Sequence, residues 1–407
     1  MATPVGVLVA IGGAAEAAVV RAVAQAPGLE VVRRCADLAE LLAAAAAGVG
    51  RVAVVSADLP GLDREAVWHL HGSEAWVVVL PAEGDPPERS AALGADAVAA
   101  DGAGVVAAVA GLLAGAARPS APEPFVPEPH DAHGRIVAVW GPTGAPGRTT
   151  LAVNLAAEMA EAARDTGAAV LLVDADTYGG TVAQVLGLLD EAPGIAAAAR
   201  AGAAGRLDAA ALAALTPRLG SGLRVLTGLS RADRWPELPA ASLEPVWAAC
   251  RALADVTVVD CGFCVEQDEV LTYDTRAPQR NAATLSALAA ADLVVVVGAG
   301  DPVGMQRLVR ALAALGETGC GAPWRVVVNR VRPTASGPHP RDAVRAALRR
   351  YAGVADAVVL PDDQAACDGA LLHARTLAEH APSSPLRRAV AALAAEVLSA
   401  TPPVGAH

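Results

Sequence analysis

Apolar runs alternate with alanine-rich segments along most of the chain. Before residue 102 there are five short, β-rich runs: VGVLVAI, LEVVRR, RVAVVSA, AWVVVLP and ADAVAAD. After residue 135 seven more follow: IVAVW, AVLLVD, LRVLT, VTVVD, LVVVV, WRVVVN and AVVLP. The later runs lack polar alternation, which is typical of strands buried on both faces. The pattern predicts an α/β fold: a doubly wound, mostly parallel sheet preceded by a smaller, flavodoxin-like α/β domain.

A change of composition separates the two sets of strands. Proline and acidic residues dominate ARPSAPEPFVPEPHDAHGR, residues 117–135, which predicts an extended linker. Another short segment rich in Pro and Gly, TPPVGAH, closes the sequence. We therefore predict a first domain at 1–116, a linker at 117–135, a second domain at 136–399 and a disordered tail at 400–407.

The composition narrows the classes of function. All 31 basic residues are arginine, because the sequence has no lysine, and the net charge is −12. A net negative chain is not expected to bind nucleic acid indiscriminately. No signal peptide is recognised, and the apolar stretch 105–115 is too short to span a bilayer. The last helix lacks the bulky anchors of a membrane tether, so we expect a cytoplasmic protein without a direct membrane anchor.

The first domain contains VVSADLPGLD, which resembles the third strand and following loop of a response-regulator receiver domain. A receiver needs clustered carboxylates, an acceptor aspartate and a lysine. Here Ser56 stands at the position of the acceptor aspartate, and Asp58 is two residues away from that position. Pro81 lies near the position where a receiver carries a hydroxyl side chain after its fourth strand. Without clustered carboxylates there is no Mg²⁺ site for phosphoryl transfer. We predict a receiver-like domain that does not accept phosphate and acts in docking.

The second domain begins with a candidate phosphate loop, IVAVWGPTGAPGRTT, residues 136–150. The template GxxxxGK[ST] aligns on Gly147-Arg148-Thr149, although Pro142 and Pro146 donate no N–H. Such a loop binds phosphate through backbone N–H groups at a helix N-terminus. The spacing does not fit the alternative, a dinucleotide turn of the form G-x-G-x-x-G. The predicted phosphate-binding residues are Gly144, Ala145, Gly147, Arg148, Thr149 and Thr150.

Carboxylates follow two of the later strands. Asp174 and Asp176 end LLVDAD, and Asp260 ends TVVD. Acids at neighbouring strand ends can hold Mg²⁺ and an attacking water, whereas a Rossmann domain would place a single acid on a ribose. We favour a functional role for these acids over a structural one.

The motifs GPTGAPGRTTLAVNLAAE, LLVDADTYGG, VTVVDCG and VVVNRV occur in the order found in MinD/ParA-class P-loop ATPases. Within that class the chain resembles the CpaE/TadZ-like branch, which often carries a degenerate receiver ahead of the ATPase. It is also similar to actinobacterial septum-site-determining proteins. The resemblance covers 136–398 well and 1–115 weakly.

This resemblance implies ATP and Mg²⁺ as cofactors and assigns roles at matching positions. Thr149 would ligate Mg²⁺, and Thr150 would lie beside the α-phosphate. Asp174 would hold Mg²⁺-bound water, Asp176 would orient the attacking water, and Asp260 would be the Walker B acid, so the implied metal site is Thr149, Asp174 and Asp260.

The resemblance also implies a second-switch glycine and an adenine site. Gly262 would be the glycine of the second switch. Asn329 would hydrogen-bond the adenine edge, and Pro361 and Asp362 would flank the base.

Family members form an ATP-sandwich dimer in which each subunit sends a signature lysine into its partner's site. That position is Thr143 here, and the loop lysine is replaced by Arg148. Arginine can hold phosphate but is longer and planar, and small misplacements at a transition state cost orders of magnitude. We therefore predict nucleotide binding with slow or absent hydrolysis. An arginine supplied in trans, such as Arg276 or Arg280, is an alternative.

Three functions remain open. The first is a nucleotide-dependent positioning switch, a homodimer that recruits a partner of the division or pilus-secretion machinery, at the pole or septum. The second is a pseudo-ATPase scaffold. The third is a DNA-partitioning ATPase, which would bind DNA through an arginine-rich helix face. We interpret this face instead as solvated or bound to an acidic partner. Its residues are Arg341, Arg345, Arg349 and Arg350. The CxxC formed by Cys261 and Cys264 is interpreted as structural.

Overall fold

The computed structural model describes residues 4–82, 85, 87–114, 134–144, 146–164, 166–188, 193–220, 222–267 and 278–399. The chain divides into two compact units, one of Met1–His130 with Arg200–Leu207 and the other of Asp131–Ala199 with Asp208–His407. The predicted tail and all but the last two residues of the predicted linker lie outside the described residues.

The first unit is built on a five-stranded parallel sheet in the order β2-β1-β3-β4-β5, which is the flavodoxin-like order. Each of the five predicted strands forms, although β5 has only two residues. The strands are β1 Val5–Ala10, β2 Leu29–Arg34, β3 Val52–Ser56, β4 Trp76–Leu80 and β5 Ala97–Val98. The helices are α1 Ala14–Gln25, α2 Leu38–Ala46, α3 Arg64–Gly72, α4 Pro87–Ala92 and α5 Gly102–Ala114.

Apolar cores lie on both faces of this sheet, as the sequence predicts. Side chains of α1 and α5 pack on one face, among them Val19 and Val109, and side chains of α2 and α3 pack on the other, among them Leu41 and Leu70. Ser56, at the position of the receiver's acceptor, is the last residue of β3 and is buried.

The second unit contains a seven-stranded parallel sheet in the order β12-β11-β10-β6-β9-β7-β8. The seven predicted strands all form, which confirms the doubly wound fold. They are β6 Arg135–Trp140, β7 Val170–Ala175, β8 Arg224–Leu226, β9 Val256–Cys261, β10 Leu293–Ala299, β11 Trp324–Val331 and β12 Val358–Pro361.

Helices connect these strands, together with a 3₁₀ helix at Ala232–Glu237. They are α6 Arg148–Ala162, α7 Val182–Val185, α8 Gly194–Ala203, α9 Ala209–Ala214, α10 Ala240–Leu253, α11 Ala282–Ala290, α12 Pro302–Glu317, α13 Pro333–Ser336, α14 Pro340–Ala352, α15 Gln364–Leu372, α16 Leu377–His380 and α17 Pro385–Ser399.

Strand order fixes the position of the candidate site. The chain leaves β6 in the centre of the sheet, and β9 lies between β6 and β7. Asp174 of β7 is in register with Asp260 of β9, and Asp260 is also in register with Val139 of β6. Parallel strands end at the same edge, so both aspartates lie beside the loop that follows β6.

Two polar contacts fasten α6, the helix that follows this loop, to the C-terminal helices. Glu158 is 5% exposed and forms a two-point ion pair with Arg387 of α17, with N–O distances of 2.6 and 2.7 Å. Asn154 donates to the carbonyl of Thr150 at 2.7 Å and accepts from the backbone N–H of Leu377 at 2.6 Å. Each buried polar group is therefore paired, which keeps the start of α6 in one position.

We predict that Arg387→Ala lowers the free energy of unfolding by about 2–3 kcal/mol, because it leaves the Glu158 carboxylate buried without its partner. Chemical denaturation measures this loss. Arg388→Ala is the matched control, since Arg388 is the exposed next residue of the same helix. Equal effects of the two substitutions would show that the ion pair does not stabilise the fold.

Candidate phosphate and metal site

The loop between β6 and α6 has the backbone of a phosphate-binding turn. Gly144 has φ +102° and Gly147, which caps α6, has φ +96°, and both values belong to the left-handed region that favours glycine. Helix α6 then begins at Arg148, so its first N–H groups face the loop. Thr149 and Thr150 lie in its first turn. Ala145 lies outside the described residues.

Asn329, near the end of β11, holds this loop through a side-chain hydrogen bond. Its side-chain amide donates to the carbonyl of Pro146 at 2.9 Å, and its oxygen accepts from the N–H of Arg330, also at 2.9 Å. A Cβ at Gly147 would lie only 2.5 Å from the Asn329 amide nitrogen. This role in holding the loop was not predicted from the sequence, and the contact with adenine stays a prediction.

The two residues predicted to flank the base lie at the edge of the sheet. Pro361 ends β12, and the N–H of Asp362 donates to the carbonyl of Val331 at 3.2 Å. The carboxylate of Asp362 lies 3.5 Å from the guanidinium of Arg332. The structure therefore places both residues next to the end of β11, the strand that carries Asn329.

Arg148 is folded back onto its own loop. Its Nη1 donates to the carbonyls of Gly141 at 3.2 Å and Pro142 at 2.9 Å, and its Nη2 lies 3.6 Å from the carboxylate of Asp176. The side chains of Arg148 and Asp176 are only 12% and 8% exposed. The arginine at the lysine position thus pairs with an acid that was predicted to orient water.

Asp174 is enclosed by backbone. Its carboxylate accepts N–H groups of Asp176 and Val182, both at 3.1 Å, and Cβ atoms at Gly180 or Gly228 would overlap it. Burial raises the pKa of Asp174 to about 7, and the neighbouring Asp176 charge adds to the effect. In this arrangement Asp174 shapes the loop after β7, with both of its oxygens already in hydrogen bonds.

Asp260 differs from Asp174 because neither of its buried oxygens has a hydrogen-bond partner among the described residues. Burial, followed by the charge of Asp174, raises the pKa of Asp260 well above its ordinary value. The Thr149 hydroxyl lies near enough to lower this pKa but forms no hydrogen bond of normal geometry with Asp260. An unpaired buried carboxylate is destabilising unless a cation or proton neutralises it.

These residues fit Mg²⁺. A protein binds this ion through one or two carboxylates together with waters and substrate phosphates, and Asp260 beside Thr149 and the loop offers that set. No group of three or more His, Cys, Asp or Glu side chains that could hold a metal occurs within the described residues. A Mg²⁺ ion here would therefore depend on phosphate oxygens for much of its coordination.

The loop after Asp176 is bound to the segment after β9 and to the start of α11. Asp176 accepts from the N–H groups of Tyr178 at 2.8 Å and Gly179 at 3.2 Å. Tyr178 donates to Asn281 at 2.7 Å and packs against Phe263, with ring centroids 4.7 Å apart. Gly262 lies at the same place, and a Cβ there would come 3.3 Å from Asp176. The sequence did not predict this aromatic contact between the loop after Asp176 and the segment after β9.

Arg280 takes part in the same contact. Its guanidinium lies 3.8 Å from the ring centroid of Tyr178 and donates to the side chain and the carbonyl of Thr177, at 2.7 and 3.0 Å. It therefore acts within its own chain in this structure. Arg276, the other candidate for a trans arginine, lies outside the described residues.

The remaining sequence candidates are the cysteines and the arginines of α14. All six cysteines are free, and burial raises the pKa of the Cys261 thiol well above its ordinary value. The four arginines of α14 are exposed, and Val344 and Leu348 of the same helix are buried. Within the described residues, no helix has the length and apolar character needed to cross a membrane.

The pKa of Asp174 predicts how stability depends on pH. Its ordinary value is 3.8, so between about pH 4 and 7 the folded protein keeps a proton that the unfolded chain has lost. This contribution is complete below pH 3.8 and is lost as pH rises through about 7. We expect the Tm of the ligand-free protein, measured by calorimetry, to fall between pH 6 and pH 8. A Tm that rises over this interval would contradict the raised pKa of Asp174.

Comparison with known proteins is consistent with this geometry. A ParA family ATPase from Chlorobium tepidum TLS is 17% identical and matches 64% of this chain and 98% of its own, with a TM-score of 0.53. The septum site-determining protein MinD complexed with Mg-ADP, from Pyrococcus horikoshii OT3, is 18% identical over 65% and 96%, with a TM-score of 0.50. At these identities the likeness shows the fold.

Among curated protein sequences no match to the chain was found. The family described as CobQ/CobB/MinD/ParA nucleotide binding domain, however, matches residues 137–373, which is more than half of the chain. This match contains the loop, the three aspartates, Asn329 and the strands that bring them together. The chain belongs to the CobQ/CobB/MinD/ParA family of nucleotide-binding domains.

Proposed function

We propose that the chain is an ATP- and Mg²⁺-binding positioning switch of the MinD/ParA type that hydrolyses ATP slowly or not at all. ATP would favour a homodimer with the nucleotides sandwiched between subunits, and the dimer would recruit a protein partner. The observation that carries the proposal is the unpaired, buried carboxylate of Asp260 beside Thr149 at the phosphate loop.

Nucleotide binding is supported by the shape of the loop. The left-handed backbone at Gly144 and Gly147 and the start of α6 at Arg148 give an anion site made of N–H groups. Asp260 and Thr149 would hold Mg²⁺, which neutralises phosphate charge when bound. The proposed adenine contacts are Asn329, Pro361 and Asp362, which lie together at the ends of β11 and β12.

Slow hydrolysis is supported by the contacts of Arg148. Its guanidinium pairs with Asp176, so the acid proposed to orient water is already bound to a cation. No lysine of the chain can replace it, because the sequence contains none. Positioning of the attacking water and charge neutralisation supply most of the catalysis of phosphoryl transfer, and both depend on these two residues.

The proposed cellular role rests on the resemblance to MinD/ParA-class ATPases and names only a kind of partner. We propose a partner in the division or pilus-secretion machinery, reached from the cytoplasm without a membrane anchor. The first unit would serve in docking, as a receiver-like domain with Ser56 where an acceptor aspartate would stand. Arg341, Arg345, Arg349 and Arg350 form a surface for an acidic partner in preference to DNA.

A second candidate is a scaffold that does not hydrolyse ATP. The observation that favours it is the two hydrogen bonds from Nη1 of Arg148 to the carbonyls of Gly141 and Pro142, which bind part of the guanidinium to its own loop. ATP turnover distinguishes the two functions. A slow ATPase turns over more ATP than its Asp176→Ala variant, whereas a scaffold turns over no more than that variant.

Asp260→Asn should remove the dependence of ATP affinity on Mg²⁺ while leaving the fold intact, because the amide replaces a carboxyl group of the same shape. Isothermal titration with ATP, with and without Mg²⁺, measures the effect. We expect Mg²⁺ to strengthen binding to the unchanged protein and to the control Asp342→Asn, whose exposed residue lies on α14. Failure of the unchanged protein to bind ATP at millimolar concentration would contradict the proposed function.

Arg148→Lys should raise ATP turnover at least about tenfold, because a compact ammonium releases Asp176 and fits the loop geometry. Phosphate release is measured for this variant, for the unchanged protein and for Asp176→Ala. Turnover of the unchanged protein equal to that of Asp176→Ala would favour the scaffold. Rapid turnover by the unchanged protein, with no gain in Arg148→Lys, would contradict slow hydrolysis.

A further inference from the structure

A small pocket opens beside the phosphate loop, between the loop and the first turns of α12. Thr143, which stands where related proteins carry the signature lysine, is one of the residues that line it. Gly144 of the loop and Asp301, the N-cap of α12, line it as well, and Arg307 is the one cation among the lining residues.

The guanidinium of Arg307 lies directly against the loop at Gly144. A Cβ added to Gly144 would overlap its Nη1 and lie 3.2 Å from its Cζ. Two features therefore require glycine at position 144: its φ of +102° and the close approach of this arginine. The contact joins residues far apart in the sequence, which is why no local motif indicated it.

Arg307 is available for a ligand in a way that Arg148 is not. Its side chain is exposed and forms no hydrogen bond or ion pair with any residue that the structure describes. Arg148, in contrast, is bound to two loop carbonyls and to Asp176. Arg307 of α12 is therefore the cation at this loop whose guanidinium N–H groups are free to bind a ligand.

Helix α12 fixes the backbone position of Arg307. The carboxylate of Asp301 caps the helix, accepting from the N–H groups of Val303 at 3.1 Å and Gly304 at 2.9 Å. Leu308 and Leu315 of the same helix are completely buried. The packed helix therefore keeps the backbone of Arg307 beside the loop, and the exposed side chain gives up rotamer freedom when it binds a ligand.

We propose that Arg307 contacts the terminal phosphate of the nucleotide bound at this loop and supplies the charge that the missing lysines would supply. Arginine matches phosphate oxygens with two parallel N–H donors. In P-loop NTPases an arginine provided by the same chain can stabilise charge on the terminal phosphate. The proposal rests on the proposed binding of ATP and adds the residue that distinguishes ATP from ADP.

The test is a comparison of ATP and ADP affinities in Mg²⁺ by isothermal titration. Arg307→Ala should weaken ATP binding by about 10- to 100-fold, the range for a hydrogen bond to a charged group, with ADP affinity nearly unchanged. Arg307→Lys should keep part of the preference for ATP, because the charge is retained. Arg310→Ala, which removes an exposed arginine one turn further along α12, should behave like the unchanged protein.

The other possible affinities contradict either the role of Arg307 or the proposed binding of ATP. If Arg307→Ala keeps the full preference for ATP over ADP, the inference is wrong while the proposed ATP binding stands. If ATP and ADP affinities fall equally, Arg307 shapes the loop and does not contact the terminal phosphate. If the unchanged protein binds neither nucleotide, the proposed function itself is wrong.

Discussion

The site depends on a carboxyl group that the fold buries without a hydrogen-bond partner. Asp260 is the penultimate residue of the central strand β9, in register with Asp174 of β7 on one side and with Val139 of β6 on the other. Isolating a carboxylate in this way is destabilising by several kcal/mol unless a proton or a cation neutralises it. The raised pKa values of both aspartates express this cost. Mg²⁺ held between Asp260 and a bound phosphate would remove it, which couples the stability of the domain to its ligand.

The positive charges near the loop are divided between two arginines with different surroundings. Arg148 is largely enclosed, with 12% of its side chain exposed, and is bound to the loop carbonyls and to Asp176, so it stabilises the loop and neutralises one acid of the cluster. Arg307 is exposed and lies on Gly144 without a partner among the described residues. The proposed function assigns the structural role to Arg148 and the contact with ligand to Arg307, and it expects nucleotide binding with little hydrolysis.

The sequence predicted the elements better than the contacts between them. Long apolar runs such as LVVVV determine buried parallel strands by themselves, so every strand of both sheets was found, whereas the alanine-rich run ADAVAAD gave a strand of two residues. Strand-end acids and loop glycines are local signals and led to Asp174, Asp260 and Gly147. The hydrogen bond from Asn329 to Pro146 and the approach of Arg307 to Gly144 join distant segments, and no spacing along the chain encodes them. The pairing of Arg148 with Asp176 likewise depends on a rotamer.

The most direct test of this account is to identify the nucleotide that the protein retains. The protein is incubated with Mg²⁺ and ATP for an hour, separated from free nucleotide by gel filtration, denatured, and its bound nucleotide is identified by chromatography. A site that binds ATP and hydrolyses it slowly retains a stoichiometric amount of intact ATP. Recovery of ADP would show that the site hydrolyses ATP readily, and recovery of no nucleotide would show that the loop, Thr149 and Asp260 do not form a nucleotide site.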